Sequence, residues 1–207
     1  MAKLLTEFDD FPEEGKLIGR LVTSYGEIEF SLMNCLAAAL GYDIGTAMAV
    51  FFRTRGEDAR INVADALIRP ALKETKLDGH WSNAVGIVKH CKKIRNQFAH
   101  SHWWADTNGL FFLDFDTDAQ KSIEAPVTFY GLDVPLLQQQ ERYFEHAVDW
   151  LLYLESEHSR RAGLSPSLKR PIPSAVEKPP LHNQREIHRP PADEGGDTTP
   201  KVDPLEH

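Results

Sequence analysis

From residue 14 to residue 40 the apolar positions Ile18, Leu21, Tyr25, Ile28, Leu32, Cys35 and Ala39 recur alternately three and four apart. This spacing is one stripe on a long helix, and Gly41 suits its C-terminal stop. A second helical stretch is expected over 44–53. A third, over 57–68, carries Ile61, Ala64, Leu67 and Ile68. It is expected to end before Pro70, because a proline disfavours helical backbone in the residue preceding it. A fourth helix, over 81–99, has Trp81, Val85, Val88, Cys91, Ile94 and Phe98 as its core row.

The period then changes. Trp103-Trp104 and Leu110-Phe111-Phe112-Leu113 flank Asp106-Thr107-Asn108-Gly109, a pattern that reads as a β-hairpin across an Asn-Gly turn. Successive strand residues face opposite ways, so one of Trp103 and Trp104 belongs to the core and the other is exposed. A loop is expected to run to Asp133. Pro135 suits the first turn of a last long helix that presents Leu136, Tyr143, Ala147, Trp150, Leu151 and Leu154 and ends at Gly163. The expected fold is all-α: a bundle of four or five helices with a hairpin inserted before the last.

Composition divides the 207 residues into two parts. With 42% hydrophobic and 10% aromatic residues, the chain can bury one substantial core. That content is unevenly spread: nine of the 13 prolines lie in 163–207, which holds no Phe, Trp or Tyr. Such a segment buries too little apolar surface to offset its ordering entropy. The expected organisation is a helical domain over 1–162 and a disordered proline-rich tail over 163–207, with 205–207 resembling the remnant of a purification tag. No apolar run reaches the ~20 residues of a membrane span, and the N-terminus lacks the pattern of a signal peptide. Cys35 and Cys91 are too few for a disulfide framework or a four-cysteine zinc site, so a cytoplasmic location and no membrane partner are expected. Cys91 lies on a core row and reads as packing rather than as a nucleophile.

A net charge of −8 argues against a general duplex-coating protein. Against it stands one electropositive stretch: the 27 residues between Asp78 and Asp106 contain no acid but hold Lys89, Lys92, Lys93 and Arg95, with His80, His90, His100 and His102. Phosphate is attracted to such a segment, and the neighbouring aromatic pair Trp103 and Trp104 can stack bases. The competing reading is a helix face whose acidic partners sit on neighbouring helices.

Within this stretch stands Ile94-Arg95-Asn96-Gln97-Phe98-Ala99-His100. It resembles the signature of the HEPN superfamily, an Arg often followed by Asn and, four to six residues after the Arg, a His. The resemblance extends to the setting, a compact helical bundle over about 14–162 with the motif near the end of a late helix. On a helix Asn96 and His100 share a face, so the Asn amide can hold the imidazole in one tautomer, while the Arg95 fork suits two-pronged contact with a phosphate.

Family members that are ribonucleases cut RNA without metal or cofactor, using the 2′-hydroxyl as nucleophile. The resemblance implies His100 as general acid or base and Arg95 as stabiliser of phosphate charge. The basic, aromatic stretch itself supplies Lys89, Lys92, Lys93, His102 and Trp104 as candidate substrate contacts, with His102 read as either a second proton-transfer group or the first exposed residue of the hairpin. Imidazole suits the first role because its ordinary pKa of ~6.5 lies near working pH. The resemblance further implies a homodimer with facing motifs, and a toxin or defence effector that a neutralising protein partner can hold in check. Glu29, at the border of the first apolar stripe, is the candidate acid to orient Arg95 or His100; a purely structural ion pair with Arg95 is the other reading, and Glu27 is the more exposed second choice. Some antitoxin-paired members place a Tyr where this chain has His102, so behaviour tied to that Tyr is not carried over. Two functions from different classes follow: a metal-independent endoribonuclease, and a non-catalytic HEPN module that binds nucleotide, RNA or a protein partner.

Overall fold

The computed structural model describes residues 6–107, 109–113, 127–166, 169–183 and 185–188. Helices are α1 (Glu7–Asp10), α2 (Pro12–Ala39), α3 (Ile44–Arg53), α4 (Glu57–Glu74), α5 (Asp78–His100) and α6 (Val134–Arg161). Strands β1 (His102–Asp106), β2 (Gly109–Leu113), β3 (Val127–Leu132) and β4 (Arg185–His188) form one antiparallel sheet in the order β1-β2-β3-β4. The chain is therefore mostly helical with a small sheet beside the bundle. Among the described residues no helix is long and apolar enough to cross a membrane.

The two 28-residue helices α2 and α6 form the heart of the bundle. Arg20 pairs with Glu141, Tyr25 packs on Phe144, the Cys35 thiol donates to the Leu151 carbonyl, and Tyr42 reaches Glu155. Partners advance together along both chains, so α2 and α6 run parallel. Helix α5 runs against them: His80 stacks on Trp150 near its start, and the Cys91 thiol meets the Tyr143 carbonyl further on. The residues of the expected stripes, Leu21, Ile28 and Leu32 on α2 and Trp81, Val88 and Ile94 on α5, are buried between these helices. Burial of each such side chain contributes about 1.5–3 kcal/mol. Side-chain caps begin two of the helices, with Asp43 accepting from the Thr46 amide and Asp133 from the Leu136 amide. Gly41, at φ +67°, ends α2 as its sequence position implies.

Three expectations change, and one holds but falls partly outside the described residues. First, α4 does not end before Pro70 but continues to Glu74. The missing amide and ring clash cost about 3 kcal/mol, which burial of Ile68 and Leu72 on the same face offsets. Second, the expected loop before Asp133 contains β3, whose Val-Thr-Phe-Tyr run favours a strand and pairs with β2. The hairpin holds, with Asp106 opposite Gly109, but Asn108 of the expected turn lies outside the described residues.

The third change concerns the tail. Residues 169–183 form neither helix nor strand and are mostly exposed up to residue 178, but Pro179 is buried and Leu181 packs on the core. Asn183 donates to the Gly131 carbonyl, and β4 then joins the sheet. The segment lacks aromatic residues of its own, but side chains of α5 and α6 bond its backbone carbonyls, so its order does not rest on a core of its own. Residues 189–207, including the tag-like end, lie outside the described residues.

Candidate functional site

Helix α5 has two polar flanks near its C-terminal end, and they differ. On one, Arg95 reaches back over the core. Its Nη1 donates to Glu57 Oε1 at 2.8 Å and to Asn96 Oδ1 at 3.0 Å, and its guanidinium carbon stands 6.0 Å from the centre of the Tyr25 ring. The pair is partly buried, the side chains being 29% and 19% exposed, and the Arg95 Nε is buried without a hydrogen-bond partner among the described residues. Glu57 belongs to the first turn of α4, where the helix dipole favours an acid. Burial, and then the nearby charges of Glu57 and Glu29, push the Tyr25 hydroxyl far above its ordinary pKa, so it stays protonated.

The neighbouring acids are also engaged. Glu29 meets Arg60 at 2.6 Å, and Arg60 Nε donates to the Thr54 carbonyl. Asp58, beside Glu57, accepts from Lys92 at 2.5 Å, and that contact holds its carboxyl below the usual carboxylate range. Thus two cations of the acid-free stretch, Arg95 and Lys92, find their acids on the first turn of α4.

The other flank of α5 is open. A groove of about 410 Å³ is lined by Lys92, Lys93, Asn96, Gln97, His100 and Ser101 from α5, Phe112 and Tyr130 from the sheet, and Leu181 and His182 from the tail segment. Helical spacing accounts for the α5 side, because Lys93, Asn96 or Gln97, and His100 fall on one face. His100, in the last turn, is exposed, as is Lys93, which makes no ion pair among the described residues. The sheet supplies its inner face: Phe112 pairs with Tyr130 across β2 and β3, the two rings stacked at 5.1 Å.

Of the residues singled out from the sequence, Lys92, Lys93, Asn96 and His100 therefore meet in one groove. Arg95 lies on the other flank and touches the groove through Asn96, whose oxygen it occupies. Glu29 is placed elsewhere: its partner is Arg60, while Glu57 takes the position beside Arg95 that Glu29 was expected to fill. Lys89 is exposed, one turn before Lys93. His102 and Trp104 are exposed on the sheet face opposite Phe112 and Tyr130, where Trp104, 52% exposed, meets Phe129 edge to face. Trp103 is the inward member of the pair, packed against Phe8 and Phe98. Neither Cys35 nor Cys91 reaches solvent, and burial raises both thiols well above their ordinary pKa, which keeps them unreactive.

Sequence reasoning missed Glu57, Tyr130 and His182. The signal for Glu57 was present in Gly56-Glu57-Asp58, an acidic helix start with two like charges to neutralise. His182 was hidden by its surroundings, a proline-rich stretch whose composition argues for disorder. Among the described residues no group of three or more His, Cys, Asp or Glu side chains is placed to hold a metal ion. Comparison of the chain with protein-family models, curated proteins and solved structures finds no match.

Proposed function

We propose that this chain is a metal-independent endoribonuclease of HEPN type, of the kind deployed as a toxin or defence effector, with His100 as a general acid or base. The observation that carries the reading is the groove itself. In a chain of net charge −8, it brings an exposed imidazole together with Lys92, Lys93 and the Asn96 amide. Lys93, in no ion pair among the described residues, can hold a phosphate as a point charge, Lys92 can do so on exchanging Asp58, and an imidazole beside them can move a proton to or from the ribose or the leaving oxygen. Tyr130 and Phe112 offer aromatic surface on which a base can lie. For Arg95 to stabilise phosphate charge, its fork must exchange Glu57 for the phosphate; in the arrangement observed it acts by holding Asn96. The resemblance also favours a homodimer, which sedimentation of the purified protein measures directly.

One observation favours a second reading, a non-catalytic HEPN module that binds nucleotide, RNA or a protein partner. The Arg95 fork is already paired within the molecule, as it is in a structural cluster. Cleavage of varied RNAs by wild type and His100→Ala, prepared identically and in EDTA, separates the two. The ribonuclease reading expects cleavage by wild type and a loss of at least about 10²-fold in the variant. Equal activity in both overturns it. Tight RNA or nucleotide binding with no turnover in either establishes the second.

A further inference from the structure

The groove holds a second imidazole, and the fold goes to some length to place it there. His90 Nε2 donates to the Pro179 carbonyl at 2.9 Å; Gln140 Nε2 donates to Pro180 and Leu181 at 2.9 and 3.1 Å; Gln97 Nε2 donates to Leu181 at 2.6 Å. The Asn183 amide donates to the Gly131 carbonyl at 2.8 Å, so the residues on both sides of His182 are fixed. Gln140 is fully buried, and His90 nearly so. A buried amide or imidazole needs a partner, and here the partners are carbonyls of this segment. Its ring centre lies 4.5 Å from that of Tyr130. The His182 Nδ1 stands 2.9 Å from the Asn183 carbonyl oxygen. A carbonyl only accepts, so Nδ1 carries the proton, and in the neutral ring Nε2 keeps its lone pair.

Resting on the ribonuclease reading, we infer that His182, delivered in the same chain by the docked C-terminal segment, is the general base of the groove and His100 its general acid. Cleavage by the 2′-hydroxyl requires one proton removed and one supplied. His182 Nε2 takes the 2′-hydroxyl proton as the 2′-oxygen bonds to phosphorus. The bond from phosphorus to the 5′-oxygen breaks, and that oxygen receives a proton from the His100 imidazolium. The products are a 2′,3′-cyclic phosphate and a 5′-hydroxyl; proton exchange with water restores both rings. Lys92 and Lys93 of α5 and the Tyr130 hydroxyl of β3 are the other titratable groups facing this groove.

The test uses full-length protein, an ordinary RNA, and the same RNA with sulfur replacing the 5′-oxygen at one linkage. A thiolate leaves without protonation, so it dispenses with the acid but not the base. His182→Gln is expected to lose about 10²-fold or more on both substrates. It should also lose the acidic limb of the pH–rate profile. His100→Ala is expected to fail on ordinary RNA and to recover on the sulfur substrate. His182→Ala should regain activity with added imidazole, a rescue that a misfolded protein does not show. Wild-type rates in His182→Gln, or its recovery on the sulfur substrate, overturn the assignment while leaving the ribonuclease reading intact. Absence of cleavage by wild type overturns both.

Discussion

The two flanks of α5 are built from the same acid-free stretch, yet one is closed and the other open. On the Arg95 side the positive charge is answered within the molecule, by Glu57, Asn96 and the face of Tyr25. On the His100 side Lys93, His100 and His182 face a groove. The lesson is that a run of positive residues on one helix is not one surface. A rotation of about 100° per residue sends neighbouring residues into different surroundings, and α4 happens to begin beside one of them. Histidines divide in the same way. His90, His146 and His158 are buried and burial lowers their pKa, whereas His100 and His182 line the open side.

The comparison breaks most visibly at His100. Replacement by Ala on the open flank is expected to lower RNA cleavage by about 10²–10⁴-fold while leaving the melting temperature close to wild type. A large fall in melting temperature would place His100 among the structural histidines instead. On the closed flank the expectation is reversed. Arg95→Ala strands a partly buried Glu57 and is expected to cost about 2 kcal/mol of stability in urea unfolding. The double variant Arg95→Met with Glu57→Leu should recover most of that loss, since it removes both charges; no recovery would mean that the pair is not the source of the cost.

Acidification sharpens the division among the histidines. His90, His146 and His158 resist protonation when folded, with burial the leading cause for each, and Trp150 Nε1 donates to the unprotonated His146 Nε2. The unfolded chain therefore binds more protons below about pH 6.5, and stability should decline as pH falls through that region. His146→Gln should flatten the decline; an unchanged slope would remove His146 from the account. The smallest effect is expected at Lys93. Lys93→Ala should leave stability within about 0.5 kcal/mol and lower the salt dependence of single-stranded RNA binding by about 0.7 in the logarithmic slope, which titrations at several salt concentrations measure.

Much of this molecule was legible because its long helices each obey one period over many turns. Every residue of the α5 row and every residue of the α2 stripe except Ala39 is buried, although others such as Leu17, Met33, Leu36 and Ile87 are buried beside them, and the alternation of Trp103 and Trp104 follows from strand geometry alone. What escaped depends on partners distant in sequence. Helix α4 passes through Pro70 because Leu72 has a place in a core that other helices make. Strand β3 was read as loop although Pro126 marks its start and its Val-Thr-Phe-Tyr run favours a strand; the run is short, and its pairing with β2 supplies what the local pattern lacks. Glu29 was a reasonable partner for Arg95, but Arg60 and Glu57 lie where they do through the packing of α4 on α2 and α5. The groove was half visible: Lys92, Lys93, Asn96 and His100 are one helical face, whereas Tyr130 and His182 arrive from elsewhere in the chain.

The docking of residues 179–181 through carbonyl oxygens has a further consequence. Pro179 and Pro180 have no amide hydrogen, so at these positions the backbone can accept but never donate. The segment cannot lengthen its strand pairing toward its own N-terminus, and β-ladder growth is stopped just ahead of His182. His90, Gln97 and Gln140 bond backbone rather than side chains, so they set the register of the strap without specifying its side chains. A deletion at Leu181 or His182 replaces the imidazole in the groove with whatever residue comes next, because the clamp holds backbone positions rather than side chains. The register of residues 179–183 is thus what places the imidazole in the groove.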